Sequence, residues 1–250
     1  MLEEPWPVDV ERAAQRGDRS LRATLAEAWR RMRHHLLLKT VGITVFMWAF
    51  FAAYFEVLRS PPSEPVTMPL TAIDHAVGFW APALWPYLTL WFYVTLPPGL
   101  LTDRRDLVIF GLWIGSVCVI GLACFHLWPT AVPPQAIDMA RHPEYALLQG
   151  VDAPGNAFPS LHVATATFTA IWLHRLLDGM PAPAWLRVAN VAWFAAIAWS
   201  TLATKQHVFM DLLAGLVLGA AIGLLSIRRQ LYSQPSPRRP GAQAPPRSNR

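Results

Sequence analysis

The stretch LVIFGLWIGSVCVIGLACFHLW, residues 107–128, contains no Asp, Glu, Lys or Arg. About 20 residues of apolar helix cover the hydrocarbon core of a bilayer, so the run reads as a membrane span. Five more runs flank it, giving six candidate spans: Leu36 to Leu58, Gly78 to Leu96, Leu107 to Trp128, Leu161 to Leu177, Trp185 to Thr201 and Val208 to Ile227. The fourth and fifth are short. Over all 250 residues the hydrophobic fraction is 54% and the charged fraction 15%, where an average soluble domain is about 25% charged. The mean hydropathy is +0.29. The expected fold is therefore all-α, a polytopic bundle of six transmembrane helices, and a water-soluble core is excluded. The 12 Trp fit, because indole rings favour the headgroup interface.

The sequence pI of about 9.7 raises nucleic acid as a partner, and the placement of the charge answers it. With both termini cytoplasmic, every Lys and Arg except Arg59, Arg141 and Lys205 falls on or near the cytoplasmic side. That is the positive-inside pattern, so the basic charge reads as a topology signal and no nucleic-acid partner is expected.

Residues 1–35 read as a cytoplasmic amphipathic segment without a cleavable leader, which makes span one an uncleaved anchor. Leu21, Leu25, Ala28, Trp29 and Met32 recur at helical spacing among Arg22, Arg30, Arg31 and Arg33, the pattern of a helix lying on the inner membrane surface. Residues 36–228 form the membrane domain. Residues 229–250 read as a disordered cytoplasmic tail, since Gln234 to Arg250 is rich in Pro and Arg. Cys118 and Cys124 are six apart in one apolar run, off a shared i, i+4 face, and read as free thiols.

This topology leaves one substantial outer loop, from about Pro129 to Ser160, and a short one between spans five and six. Chemistry gathers beside both. Phe158-Pro159-Ser160-Leu161-His162 opens span four, and Ser200 to Asp211 leads into span six. Ser160 is placed to cap its helix, and the free N–H groups of a first helical turn favour an anion. His207 and Asp211 are i and i+4, which predicts one helical face carrying a carboxylate that fixes the imidazole tautomer. The i+4 row continues through Gly215, Gly219 and Gly223, and small residues at that spacing let membrane helices approach closely. Ala166 and Ala170 below His162 offer the matching face of span four. Each feature alone has a bland reading as packing or capping; two His, an Asp, a Ser and a Lys at two helix starts on one side of the membrane point to function.

Pro159-Ser160-Leu161-His162 resembles the second signature of the type 2 phosphatidic acid phosphatase superfamily, and Ser200 with His207 and Asp211 resembles the third. Leu161, where many members have Gly, and Ala203 to His207 are similar to the inositolphosphotransferase branch, the inositol phosphorylceramide synthase type. So are Trp85-Pro86-Tyr87 through Tyr93, and Pro129-Thr130-Ala131.

The resemblance implies a metal-independent lipid phosphate phosphatase or phosphotransferase without cofactors. His207 is the implied nucleophile forming a phosphohistidine, Asp211 its orienting carboxylate, and His162 the acid that protonates the leaving oxygen. Ser160 is implied to hold a phosphate oxygen. The implied partners are a lipid phosphate or phospholipid substrate and the surrounding membrane lipids, with the site on the non-cytoplasmic face of the plasma (inner) membrane. The family's first signature, a Lys followed seven residues later by Arg-Pro, is absent from the outer loop, and Thr201 stands at the third signature's Arg position. Lys205 and Arg141 are therefore assigned as the phosphate-contacting cations, with Arg59 more distant.

Three other readings compete. A non-catalytic lipid-binding descendant of the same family accounts for the missing cations. A haem protein with His126, His162, His174 or His207 as axial ligands leaves Asp211, Ser160 and Lys205 unused. A metal site from Asp138, His142 and Glu144 has no recognised ligand spacing.

Overall fold

The computed structural model describes residues 7–134 and 155–233, with side chains described for 20–134 and 155–228. Helix α1 (Pro7–Arg33) leads into α2 (Leu36–Arg59). A two-residue strand β1 (Val66–Thr67) and the short helix α3 (Ala72–Ala76) follow. A 3-10 turn, Ala81–Ala83, opens a column of short helices, α4 (Leu84–Leu88), α5 (Leu90–Tyr93) and α6 (Leu96–Leu100). Helix α7 (Arg104–Leu127) and strand β2 (Thr130–Ala131) precede α8 (Leu161–Asp178), α9 (Ala184–Ala203) and α10 (Phe209–Ser233).

Among the described residues four helices are long and apolar enough to cross a membrane: α2, α7, α9 and the Phe209–Arg228 part of α10. Their outer faces are apolar, with Leu37, Trp48, Leu112 and Leu127 all exposed, as lipid-facing surfaces require.

The second predicted span is not one helix. It is the α4–α6 column, whose joints at Thr89 and Thr95 are tightened by hydroxyls that donate to the carbonyls three residues back, Pro86 O and Phe92 O, at 2.7 Å each. Pro86, Pro97 and Pro98 remove backbone donors within it, and those joints take up the mismatch. The fourth predicted span, α8, is 18 residues long and carries two His, an Arg and an Asp, which lowers its hydropathy.

Helix α8 is the bundle's centre, buried along much of its length and packed on α7, α9 and α10. Phe110, Phe168 and Trp172 anchor its α7 side. Trp172 Nε1 donates to Ser226 Oγ of α10 at 2.9 Å. On the α9 side Tyr93 Oη donates to Asn190 Oδ1 at 2.6 Å, and Asn190 Nδ2 donates to Ala170 O at 3.0 Å. In an apolar bundle such satisfied polar links fix helix register.

At one end of the bundle, Lys39 Nζ donates to the carbonyls of Arg31 and Gly99, both at 2.7 Å, tying the end of α1 to the end of α6. Thr24 and Ser20 of α1 donate to Pro181 O between α8 and α9. Glu27 lies between Arg30 and Arg31, whose guanidinium hydrogen bonds hold its carboxyl down to about 2. At the other end, β1 and β2 pair in parallel, Val66 with Thr130 and Thr67 with Ala131. Buried Thr130 accepts from Ala157 N through its carbonyl, at 3.3 Å, and from Phe158 N through its hydroxyl, at 2.9 Å. That brace holds the approach to Ser160.

Candidate active site

The two predicted clusters meet. Ser160 caps α8, its Oγ accepting the Val163 N–H at 3.2 Å, and its own backbone N–H donates to the Asp211 carbonyl at 3.0 Å. The first turns of α8 and α10 are thus joined main chain to main chain. Ser160 is fully buried, its hydroxyl oxygen accepting in the cap while its O–H is left to donate.

The glycine row explains how the backbones come so close. A Cβ added at Gly215 falls 2.4 Å from Ser160 O, and one at Gly219 falls 2.2 Å from Ala164 O. The α8 face that meets α10 is therefore Ser160, Ala164 and Thr167, rather than the Ala166 and Ala170 row. His162 turns away from α10, and Ala166 turns with it toward Leu90 and Tyr93. Leu161 fits the same logic. Its side chain fills the space beside Gly121 of α7, where an added Cβ falls 2.4 Å from Leu161 Cδ2.

His162, the second residue of α8, is buried and stacks on Tyr87, ring centroids 4.0 Å apart at 21°, with Trp91 edge-on at 6.4 Å. Its Nε2 has no hydrogen-bond partner among the described residues. His207 does not lie on a helical face with Asp211: α10 begins at Phe209, two residues later. The pair meets through capping geometry instead. Asp211 Oδ2 accepts the Val208 N–H at 3.0 Å and lies 3.5 Å from His207 Nδ1, an ion-pair distance without hydrogen-bond alignment. Asp211 is fully buried at the positive end of α10, where a carboxylate is favoured. Its Oδ1 has no hydrogen-bond partner among the described residues.

Both imidazoles line one cavity, walled by Phe50, Tyr87, Trp91 and Asn156 among others. Past Phe46, Met47, Val94 and Ile114 it adjoins a second, almost wholly apolar cavity between α2, α6 and α7. Of the four histidines considered as haem ligands, His162 and His207 share this cavity while His174 lines another.

Lys205 has left-handed φ of 57° and directs its ammonium to the end of α3, donating to Asp74 O at 3.1 Å and to Val77 O. With His207 it lines a separate pocket that also includes Asp74 and His75. Thr201, at the family's Arg position, is buried and donates to Ala198 O at 2.7 Å. Arg141, and the Asp138, His142 and Glu144 of the metal reading, lie outside the described residues. Among the described residues no group of three or more His, Cys, Asp or Glu is placed to hold a metal ion. Cys118 and Cys124 are free.

Sequence reasoning missed Asp74 and gave Tyr87 no role at the site. Asp74 lies in Thr71-Ala72-Ile73-Asp74, a recognisable helix-start pattern that gives no hint of its contact with Phe209.

Comparison with curated proteins and with solved structures found no match. The model of the PAP2 superfamily matches residues 107–235, from α7 through the end of α10, which takes in Ser160, His162, His207 and Asp211. On that match, over more than half its length, the chain belongs to the PAP2 superfamily.

Proposed function

We propose that the protein is a membrane lipid phosphatase or phosphotransferase that cleaves a phosphoester through a phosphohistidine on His207. The observation that carries the reading is the shared cavity of His162 and His207, with Asp211 beside His207 Nδ1. With Nδ1 facing the carboxylate, Nε2 is the nitrogen that attacks phosphorus. As the N–P bond forms the P–O bond to the leaving group breaks, and His162 Nε2 gives that oxygen its proton. Water, or an alcohol, then attacks phosphorus: its O–P bond forms as the N–P bond to His207 breaks, its proton passes to His162, and the phosphate product leaves. This in-line displacement needs a nucleophile and an acid on opposite sides of phosphorus, with donors around the equatorial oxygens.

Ser160, the first-turn N–H groups of α8, Lys205 and Arg141 are the proposed donors to phosphate. For Lys205 this means exchanging the carbonyls of Asp74 and Val77 for phosphate oxygens. The apolar cavity adjoining the site, lined by Gly42 and Gly111 among others, supports a substrate with a hydrocarbon tail. The reading extends to six spans, counting the α4–α6 column and α8 as two, with both termini cytoplasmic and the site on the opposite face. Leu161 and the Lys205 loop favour the inositolphosphotransferase-like branch. A non-catalytic lipid-binding protein is the second reading, favoured by Thr201 in place of an arginine and by a lysine already hydrogen-bonded to carbonyls.

Alkaline SDS quenching with radiophosphate-labelled phosphatidic acid and phosphatidylinositol tests the pair. Catalysis yields an acid-labile phosphoenzyme, with product chemistry separating water from an added alcohol as acceptor. A chain that binds these lipids and never becomes labelled is the second kind.

Two expectations follow. A reporter active only outside the cytoplasm is expected to work when fused near Val151 and to be silent after Arg229; the reverse pattern would put the histidines in the cytoplasm. Lys205→Ala is expected to cut turnover on the order of a hundredfold, as loss of one transition-state donor does. Lys205→Arg should retain part of it and Arg141→Ala should lose less. A silent Lys205→Ala beside a severe Arg141→Ala assigns the phosphate to the other loop.

A further inference from the structure

Asp74 is buried, charged and far from the catalytic residues in sequence, and the chemistry proposed above gives it no task. Each of its carboxylate oxygens accepts a backbone N–H. Oδ2 takes Thr71 N at 2.7 Å, closing the capping box of α3, together with Thr71 Oγ1 at 2.7 Å. Oδ1 reaches across to Phe209 N, also at 2.7 Å. Phe209 is the first residue of α10, and its N–H is one of the orphan donors that any helix start must satisfy. Asp211 satisfies the neighbouring Val208 N–H from within the helix; Asp74 supplies the next cap from a different segment of the chain.

The position of that cap matters. His207 stands two residues before Phe209, in a bend whose other end is fixed when Gln206 N and His207 N both donate to Thr201 O at 3.1 Å. Trp80 N donates to Ala203 O at 2.9 Å, a second tie between the α3 side and this bend. The imidazole is thus suspended between a carbonyl of α9 and a carboxylate-capped start of α10. Freeing the Phe209 end leaves Asp211 as the remaining side-chain cap on that helix start. A charge-assisted bond to backbone N–H is among the stronger hydrogen bonds, and the positive end of α10 strengthens this one.

We infer that Asp74 is a positioning residue for the reaction: by capping α10 at Phe209 it holds His207 on the line of attack at phosphorus. The inference rests on the phosphohistidine reading above. It also requires a carboxylate specifically. Asn has a single acceptor oxygen, so in either orientation its NH2 faces a backbone N–H that is left with no oxygen to bond, and one of the two caps is lost.

The full-length chain in detergent, quenched over time in alkaline SDS with radiophosphate-labelled phosphatidic acid and phosphatidylinositol, separates positioning from simple folding. For Asp74→Ala the rate constant of phosphoenzyme formation is expected to fall about 10- to 100-fold, the range that a nucleophile misplaced by about 1 Å produces. In a single turnover with enzyme in excess, the fraction of lipid finally cleaved should match the wild type although its rate constant falls, with KM changed less than kcat. Asp74→Asn should also be slowed. Thr71→Val, which removes the hydroxyl from the α3 cap but leaves Phe209 capped, should lower thermal stability while holding the rate constant within about threefold.

If Asp74→Ala labels at the wild-type rate, or merely labels a smaller fraction at that rate, Asp74 is structural and the inference fails. It fails equally if Thr71→Val is slowed as much as Asp74→Ala, because α3 itself is then what matters. A wild type that is never labelled overturns the phosphohistidine reading first, and this inference with it.

Discussion

His207→Ala is expected to lower turnover by on the order of ten-thousandfold or more and to abolish the acid-labile phosphoenzyme. Removing the nucleophile takes away the bond-forming step, and the remaining groups supply only binding and charge stabilisation. His162→Ala should behave differently. A general acid contributes roughly a hundred- to ten-thousandfold, most where the leaving oxygen is most basic. Its loss should therefore be severe for an alkyl phosphate and mild for an aryl phosphate such as p-nitrophenyl phosphate, with the phosphoenzyme still detectable. The two histidines need opposite protonation states, one neutral to attack and one protonated to donate, so kcat/KM against pH should be bell-shaped. In His162→Ala the limb that reports the acid should disappear for the aryl ester. A His207→Ala protein that still carries an acid-labile label after an alkaline quench removes the nucleophile assignment, whatever its residual activity.

The parts of this site that were legible in sequence are those whose partners are local. Ser160 before its helix, His162 inside the first turn, and His207 four residues from Asp211 carry their geometry in their spacing, because capping and helical periodicity act within a turn. Even there, the i, i+4 reading named the right pair with the wrong geometry. His207 meets Asp211 across a helix start, where the aspartate bonds Val208 N. Asp74 was illegible because its decisive partner, Phe209, lies 135 residues away and is a backbone N–H that no side-chain pattern advertises. The broken second column was half legible. Its prolines were in view, but how the joints at Thr89 and Thr95 settle depends on bonds such as that from Trp193 Nε1 to Thr89 Oγ1, at 2.9 Å, which only the folded bundle supplies.

The glycine row makes a prediction graded by position, because the three added methyl groups would meet different things. At Gly219 the new Cβ falls 2.2 Å from Ala164 O and 2.8 Å from Thr167 Cβ, both fixed by the helix that carries them. Neither moves without displacing α8 from α10, and overpacking of this kind costs about 1–3 kcal/mol. Gly219→Ala is therefore expected to lower the thermal midpoint by on the order of 5–10 °C, using a per-kcal shift of about 2–4 °C for chains of this size. At Gly215 the obstacle, 2.4 Å away, is the carbonyl of Ser160, whose own N–H bonds Asp211 O. Gly215→Ala should thus disturb the site more than the bundle, lowering turnover at least tenfold by parting the two helix starts that hold the histidines. At Gly223 the nearest atom, 2.9 Å away, is Ile171 Cδ1, the far end of a flexible side chain. Ile171 can adopt another rotamer, so Gly223→Ala should be close to wild type in both measurements. Melting curves and turnover on the three variants, prepared alike in one detergent, check the gradient. A most damaging Gly223→Ala, or three variants equal in both measurements, would mean that α8 and α10 do not cross at Ser160 and Ala164 in the functioning protein.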